Sequence, residues 1–440
     1  MKNSHWILLA CTLASGGFVA CGGDDSTTIP PPGPDGGADG AVAKLDGGVV
    51  VDSSDATPAD FDAAYGQPSS TYPAFTPWMG QLVDHGGAKL TSPILVTITW
   101  DGDNGRNTFE GFGDGVGASP YWSASVGEYG IGPTVSGSAN HAHVGTAPPN
   151  QMTDQDIQDF VGSNIGTLLP AYTDQTLYIV YLSTSTTLIF GNSTACQAGV
   201  GGYHSNFFAN GNNVAYAVLP RCGSDNAVTT ASSHEIVEAA TDAHPQTKPA
   251  IRQFADPYFA FETWQRNNNE NGDACEFFKD SFYTEQQPFQ YGVQRLWSNK
   301  QGPLGHSPCQ PYAGPYFNMA PLDLQDVTVD LSQLGGSANF KTKGYLAGVG
   351  QTINVSLGFY SDQMTSVPWT VSVFESNPIV NQVMGRLAVS VDPAKTSGVN
   401  GEKTYIKVTV KQNPVKLELF TVVSTLNGVK HYLPLVISSP

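Results

Sequence analysis

The sequence predicts an α+β (or α/β) N-terminal body built around one motif-bearing helix, followed by an all-β sandwich of immunoglobulin-like type. Three observations predict this. Between Ser92 and Pro245, β-branched apolar runs alternate with stretches whose apolar residues recur at helical spacing, the pattern of helices laid on a sheet. After "SPCQPYAGPYF" (Ser307–Phe317) no helical spacing recurs, and seven or so short alternating runs lead to Pro440, as in a sandwich. The chain is 40% hydrophobic and 10% aromatic, enough to fill real cores, whereas its charged share of 13% is about half the usual globular value.

The first elements read as an export signal and a tether. Lys2 gives a short basic end, and "WILLACTLASGGFVA" is too short and too interrupted by Gly and Ser to span a membrane. It ends in "FVAC", and small residues before a cysteine resemble a bacterial lipoprotein signal. Residues 1–21 are therefore expected to be removed, with Cys21 lipidated as a membrane anchor, although Phe18 departs from the usual aliphatic residue. The alternative is an ordinary secretory signal. Both place the mature chain outside the cytoplasm, at the cell envelope or surface or secreted. Residues 22–70 are rich in Gly, Ala, Pro, Ser and Asp and poor in large apolar residues, as expected of a flexible acidic tether.

The body is expected over residues 71–315. "SPILVTITWDGD" (Ser92–Asp103), "QTLYIVYLST" (Gln175–Thr184) and "NNVAYAVLP" (Asn212–Pro220) predict buried strands. "MTDQDIQDFVGSNIGTLL" (Met152–Leu169) predicts a helix capped by Thr153, with Ile157, Phe160 and Val161 on one face. The helix containing His234 follows. The sandwich is expected over 316–440, its runs including "GQTINVSLGFY", "PWTVSVFES", "KTYIKVTVKQ" and "KHYLPLVIS". It contains no cysteine.

Cysteine and charge narrow the function classes. Beyond Cys11 and Cys21, four cysteines remain, an even number in an exported chain. Cys196–Cys222 and Cys275–Cys309 are the expected pairs, because each closes a local loop. No C-x-x-C spacing occurs, which argues against thiolate-held zinc. A net charge of −18 repels a phosphate backbone and argues against nucleic acid. A monomer is expected. There is no G-x-S-x-G, and no phosphate-binding glycine loop of Walker or Rossmann spacing.

The chemistry concentrates in "TTASSHEIVEAATDAHP" (Thr229–Pro245). It starts like the zinc-protease signature H-E-x-x-H, with Glu238 in place of the second histidine. On a helix, residues 234 and 238 lie one turn apart on one face, so His234 and Glu238 can reach one ion, and Thr241 falls on that face too. Glu235 stands where such proteases keep the general base that activates water. Six of the 11 glutamates lie between Glu235 and Glu285, in a chain that elsewhere prefers Asp. The plain alternative is a solvated acidic helix and loop. A glutamate ligand suits zinc, whereas a second carboxylate would favour harder ions, calcium or manganese. Third-ligand candidates are His204 in the glycine-rich "GGYHSNF", Glu270 and Asp273 in "ENGDACEF", and His244. The last is discounted because Thr241 replaces the glycine that its spacing needs. "NHAH" (Asn140–His143) reads as a surface loop.

These pieces together resemble the exordium / phosphate-induced protein family of plants and its bacterial secreted relatives, over about residues 86–309. The resemblance rests on "HGGAKLTSPILVTITWDGD", "SASVGEYG", "DIQDFVGSNIGTLLP", "QTLYIVYLST", "GGYHS", "HEIVEAATD", "ENGDACEF" and "VQRLWSNKQGP…C". The family pattern H-E-x-x-E, then Thr and Asp or Asn, later E-x-G-D-x-C, matches at His234, Glu235, Glu238, Thr241, Asp242, Glu270, Gly272, Asp273 and Cys275. It departs after Asp242, where Ala-His-Pro replaces the usual Pro. The resemblance favours a metal site, with Asp273 or His204 ahead of His244 and with Thr241, Asp242 and Glu270 supporting it. It implies no established activity, and the sandwich lies outside it.

Two readings follow. In the first, the chain is a lipid-anchored surface zinc metallopeptidase: His234 and Glu238 hold the metal, His204 or Asp273 completes the set, Glu235 is the general base, and the substrate is a peptide or surface polymer. In the second, it is a non-catalytic surface binding or adhesion module with a structural cation or none. The readings divide on whether Glu235 shares an open cleft with His234 and Glu238 or points away from them.

Overall fold

The computed structural model describes residues 65–254, 270–276, 279–329, 339–376, 385–412 and 418–440. The expected signal 1–21 with Cys21, the tether up to residue 64, and Glu262 lie outside the described residues. The chain is mostly β, arranged in several sheets.

The body contains strands β1 (Leu82–Asp84), β2 (Ile94–Trp100), β3 (His141–Val144), β4 (Gln151–Met152), β5 (Thr176–Tyr181), β6 (Thr187–Phe190), β7 (Ser193–Thr194), β8 (Tyr203–Ala209), β9 (Asn212–Leu219), β10 (Ile251–Phe254), β11 (Phe282–Thr284), β12 (Gly292–Gln294), β13 (Leu296–Trp297) and β14 (Cys309–Gln310). Its helices are α1 (Arg106–Val116), α2 (Pro120–Val126), α3 (Asp154–Asn164), α4 (Asp225–Thr241) and the single turn α5 (Asp273–Glu276).

A five-stranded sheet in the order β3-β2-β5-β9-β8 organises the body. β3, β2, β5 and β9 run parallel, and β8 closes the edge antiparallel to β9. Strands buried on both faces need apolar residues at every position, which is why β5 reads "TLYIVY" and is buried throughout. Leu177 and Ile179 face a core shared with α1, α2 and α4. Tyr178 and Val180 face a second core completed by Ile157 and Val161 of α3. Helices thus cover both faces of a mainly parallel sheet.

α3 is shorter than the expected 152–169. Thr153 caps it through a reciprocal bond with Asp156, but the helix stops at Asn164 because Gly166 takes a left-handed conformation (φ 79°) that turns the chain out. α4 begins at Ser224, whose hydroxyl accepts from the Ala227 N–H. It is buried from Ala227 to Thr241, since β8, β9, β12, α1 and α2 all pack against it. Buried Ser232 and Ser233 turn their hydroxyls onto carbonyls of the preceding turn, which allows them in a helix without a wet face.

β10 pairs with β1, and β11–β12 and β13–β14 form small antiparallel ladders. Cys196–Cys222 ties the loop before β8 to the loop after β9, and Cys275–Cys309 ties α5 to β14, the sequential pairing expected for an exported chain.

The C-terminal part has strands β15 (Phe317–Pro321), β16 (Gln325–Val329), β17 (Phe340–Leu346), β18 (Thr352–Ser361), β19 (Trp369–Ser376), β20 (Leu387–Val391), β21 (Ser397–Gly398), β22 (Lys403–Val410), β23 (Glu418–Leu426) and β24 (Val429–Ser438). They form a four-stranded sheet, β15-β18-β22-β20, and a six-stranded one, β16-β17-β24-β23-β19-β21. Val355, Leu357, Ile406 and Val408 of the first meet Trp369, Phe420, Val422 and Leu435 of the second in one core.

The expected tether ends earlier than position 70. Residues 65–70 are packed on the sandwich: Tyr65 bonds Asp392 at 2.8 Å, and the Asn400 amide donates to the carbonyls of Ser69 and Thr71 at 3.0 and 2.7 Å. The segment gains order here through the Tyr65 ring, edge-on to Tyr405, and through backbone groups satisfied by Asn400. Among the described residues, no helix is long and apolar enough to cross a membrane.

Candidate metal centre

Four segments converge on a cavity of about 330 Å³ beside α4. α4 contributes His234, Glu235 and Glu238; β8 contributes His204; the turn into α5 contributes Glu270, Asp273 and Glu276; and Arg252 reaches in from β10. Two glycines let these segments approach. A Cβ on Gly272 would stand 2.7 Å from Glu238 Oε1 and 2.8 Å from His234 Nδ1. A Cβ on Gly202 would stand 2.9 Å from Glu235 Cγ.

His234 is held from behind. Gln294, fully buried in β12, donates its amide N–H to the Gly272 carbonyl at 2.7 Å, which turns its carbonyl oxygen toward His234 Nδ1 at 3.0 Å. Only Nδ1–H can satisfy that oxygen. His234 Nε2 therefore faces the cavity, 3.1 Å from Glu238 Oε2 and 3.7 Å from Asp273 Oδ1. Glu238 is oriented as firmly, its Oε1 accepting the backbone N–H groups of Gly272 and Asp273, each at 3.0 Å.

His204 stands opposite. Its Nδ1 lies 3.3 Å from Glu235 Oε2 and 3.5 Å from Glu238 Oε2, and its Nε2 lies 3.1 Å from Glu270 Oε2. Glu270 Oε1 pairs with Arg252 at 3.2 Å. Burial opposes a charge on both imidazoles, yet neighbouring carboxylates prevail: Glu238 above all for His234, and Glu270 for His204, hold each well above the usual histidine range. Burial also works against the Glu238 carboxylate, but His234 draws it down to about 2. Burial pushes Glu270 up to about 8, lifts Asp273 well above the usual carboxylate range, and raises Glu276. Protons and a cation compete for the same lone pairs in such a cluster.

The expected site residues separate clearly. His234, Glu235, Glu238, Asp273 and His204 share the cavity. His204 lies on edge strand β8, paired with Ala217, not in a glycine-rich loop; the glycines end at Gly202, one residue before the strand. Glu270, expected to support the ligands, is itself in the cavity. Thr241 does not face it: the hydroxyl donates to the Val237 carbonyl at 3.0 Å. Asp242 accepts the Ala250 N–H at 2.7 Å and fixes the exit of α4. His244 is not among the lining residues. His141 and His143 belong to edge strand β3 rather than a surface loop, where they pair with Asp114 and Glu110 of α1 at 2.9 and 2.6 Å. Sequence reasoning did not single out Gln294, Arg252 or Glu276, of which only Glu276 left a trace, in the local excess of glutamate.

The donors fit a divalent cation. His234, Glu235 and Glu238 bring three ligand atoms within 4.8 Å of one another, as do His204, Glu238 and Glu270. His204 Nε2 is buried without a hydrogen-bond partner, and Gly272 leaves room that a Cβ would fill. Imidazole with carboxylate suits zinc, and a carboxylate-rich set also suits manganese or calcium.

No family model matches the chain, and no curated protein matches it. Among solved structures, a twitchin kinase fragment of C. elegans with immunoglobulin domains is 13% identical over 22% of this chain and 19% of its own, at a TM-score of 0.15. Titin M4 is 9% identical over 22% and 86%, at 0.15. A family 123 glycoside hydrolase from Clostridium perfringens is 11% identical over 29% and 27%, at 0.18. At these scores the likenesses carry no functional argument.

Proposed function

We propose that the chain is an exported metal-dependent hydrolase, a zinc metallopeptidase tied to the envelope through Cys21. One observation carries this reading. Gln294 accepts from His234 Nδ1–H, so the ring's second nitrogen addresses Glu238 and Asp273 inside a cavity that Glu235 also lines. A partner on one ring nitrogen is how proteins orient a histidine that ligates through the other. His234 and Glu238 would hold zinc, with Asp273 or His204 completing the set, and the ion would supply Lewis acidity toward a scissile carbonyl.

Glu235 is the general base. Its carboxylate lines the cavity 3.3 Å from His204, takes a proton from the attacking water and passes it to the leaving amine. Arg252 holds Glu270 in place, and Gly202 keeps the approach to Glu235 narrow. The resemblance to the exordium family over residues 86–309 supports a shared site. The sandwich, of immunoglobulin-like type in this reading, would bind a peptide or surface-polymer substrate.

The test is metal content by elemental mass spectrometry on the full chain purified without chelator, beside His234→Ala. At least one divalent ion per chain, lost in a variant that keeps its far-UV spectrum, supports the site. A metal-free chain that takes up none of zinc, manganese or calcium overturns it and leaves a surface-binding module.

A further inference from the structure

We propose that the cavity holds two divalent cations rather than one, bridged by Glu238. The inference rests on the metal reading above and deepens it. It starts from the oxygen atoms of Glu238. Oε1 is committed to the N–H groups of Gly272 and Asp273, so Oε2 is the atom left for the cavity. That one oxygen lies within reach of two imidazoles, His234 Nε2 at 3.1 Å and His204 Nδ1 at 3.5 Å. The two donor triplets accordingly have Glu238 in common.

His204 supplies an independent argument. Whereas His234 has Gln294 behind it, His204 meets carboxylate oxygen at both ring nitrogens, Glu235 at 3.3 Å and Glu270 at 3.1 Å. A neutral ring can donate to only one of them, and Nε2 is the nitrogen without a hydrogen bond although the side chain is only 6% exposed. A second cation on Nε2, shared with Glu270 and Glu238, leaves Nδ1–H to donate to Glu235. The first lies between His234, Asp273 and Glu238.

Charge balance agrees. Among the described lining residues, Glu235, Glu238, Glu270, Asp273 and Glu276 face one guanidinium, Arg252. With the carboxylates ionised and the imidazoles neutral, as metal binding requires, four negative charges result in a largely buried space, where unpaired charge is costly. One divalent ion leaves two of them unmatched; two ions match all four. Pairs of catalytic ions usually stand about 3.5–4 Å apart, a spacing that one bridging carboxylate oxygen allows. The donors are mostly oxygen, so manganese is a suitable probe.

The experiment strips the full chain with chelator, titrates it with Mn²⁺, and reads bound metal by elemental mass spectrometry together with the electron paramagnetic resonance spectrum. Two Mn²⁺ per chain with an exchange-coupled signal, falling to one uncoupled Mn²⁺ in His204→Ala, is the expected result. One uncoupled Mn²⁺ per wild-type chain overturns the pair and leaves the single-metal hydrolase standing. Two uncoupled ions overturn the bridge. No Mn²⁺, and no Zn²⁺ in a parallel titration, overturns both this inference and the proposed function. Should His204→Ala fail to fold, wild-type stoichiometry and coupling decide alone.

Discussion

Replacing Gln294 by leucine isolates the hydrogen bond that aims His234. The side chain is fully buried, and leucine keeps roughly its volume while removing both amide contacts, to His234 Nδ1 at 3.0 Å and to the Gly272 carbonyl at 2.7 Å. Two buried groups lose their partner, each at about 1–3 kcal/mol, and the metal-free protein should melt several degrees lower. The imidazole is then free to rotate or change tautomer. Loss of such an outer partner typically weakens metal binding about 10–100-fold, or about 1.4–2.8 kcal/mol at about 1.4 kcal/mol per decade. A competition titration of zinc against a chromophoric chelator reads the affinity, and thermal melting of the metal-free protein reads the stability. Gln294→Glu separates the two, because it keeps an acceptor for Nδ1–H and loses only the donor to Gly272. Its affinity should fall less than that of Gln294→Leu while its stability falls comparably. If Gln294→Leu binds zinc as tightly as wild type, the bond is structural and His234 does not ligate through Nε2.

Glu235→Gln should abolish hydrolysis of any peptide substrate the wild type turns over while retaining its metal, since the amide fills the same space but takes no proton; full turnover in this variant assigns the base elsewhere. Breaking Cys196–Cys222, whose partners are 26 residues apart, or Cys275–Cys309, at 34, should cost about 3.5 kcal/mol each by loop-closure entropy, read as a drop in urea midpoint. Removing the first pair should also weaken metal binding, because it closes the loop leading into β8. His431 gives an acid sensitivity unrelated to the metal. It is buried against Tyr312, Tyr316 and Phe317; burial, helped by nearby Arg295, draws its pKa down to about 3. The unfolded chain therefore binds a proton that the folded chain refuses. Stability is whole above about pH 6.5 and declines as pH falls toward 3, by about 2 kcal/mol at pH 5. His431→Phe should flatten that decline in thermal melts between pH 7 and pH 4; an unchanged slope refutes the assignment.

How much of this was legible depended on whether a signal was local. The strands β2, β5 and β9 announced themselves because double burial forces unbroken β-branched and apolar runs. His234, Glu235 and Glu238 were legible because helical periodicity alone sets their spacing. α1 was not, since Phe109, Phe112 and Val116 are diluted by Gly111, Gly113 and Gly115, residues that weaken any helical pattern. Gly113 is needed there all the same, because a Cβ would stand 3.0 Å from the Thr97 hydroxyl. Gln294 was illegible for a different reason: a neutral amide sixty residues from His234 has no spacing rule, and its role exists only once β12 lies along α4. Between these extremes stands the glutamate excess. Of the six glutamates within 235–285, Glu235, Glu238, Glu270 and Glu276 line the cavity, Glu285 instead accepts from Tyr283, and Glu262 is outside the described residues. A chain that elsewhere prefers aspartate thus turns to the longer carboxylate where helix and turn must reach a common point from separate backbones. Glu238 illustrates the requirement: one oxygen bonds the backbone of the α5 turn while the other stays between two imidazoles. Aspartate, one methylene shorter, could not reach the turn and the imidazoles together. Side-chain length was therefore the part of the site's geometry that composition recorded.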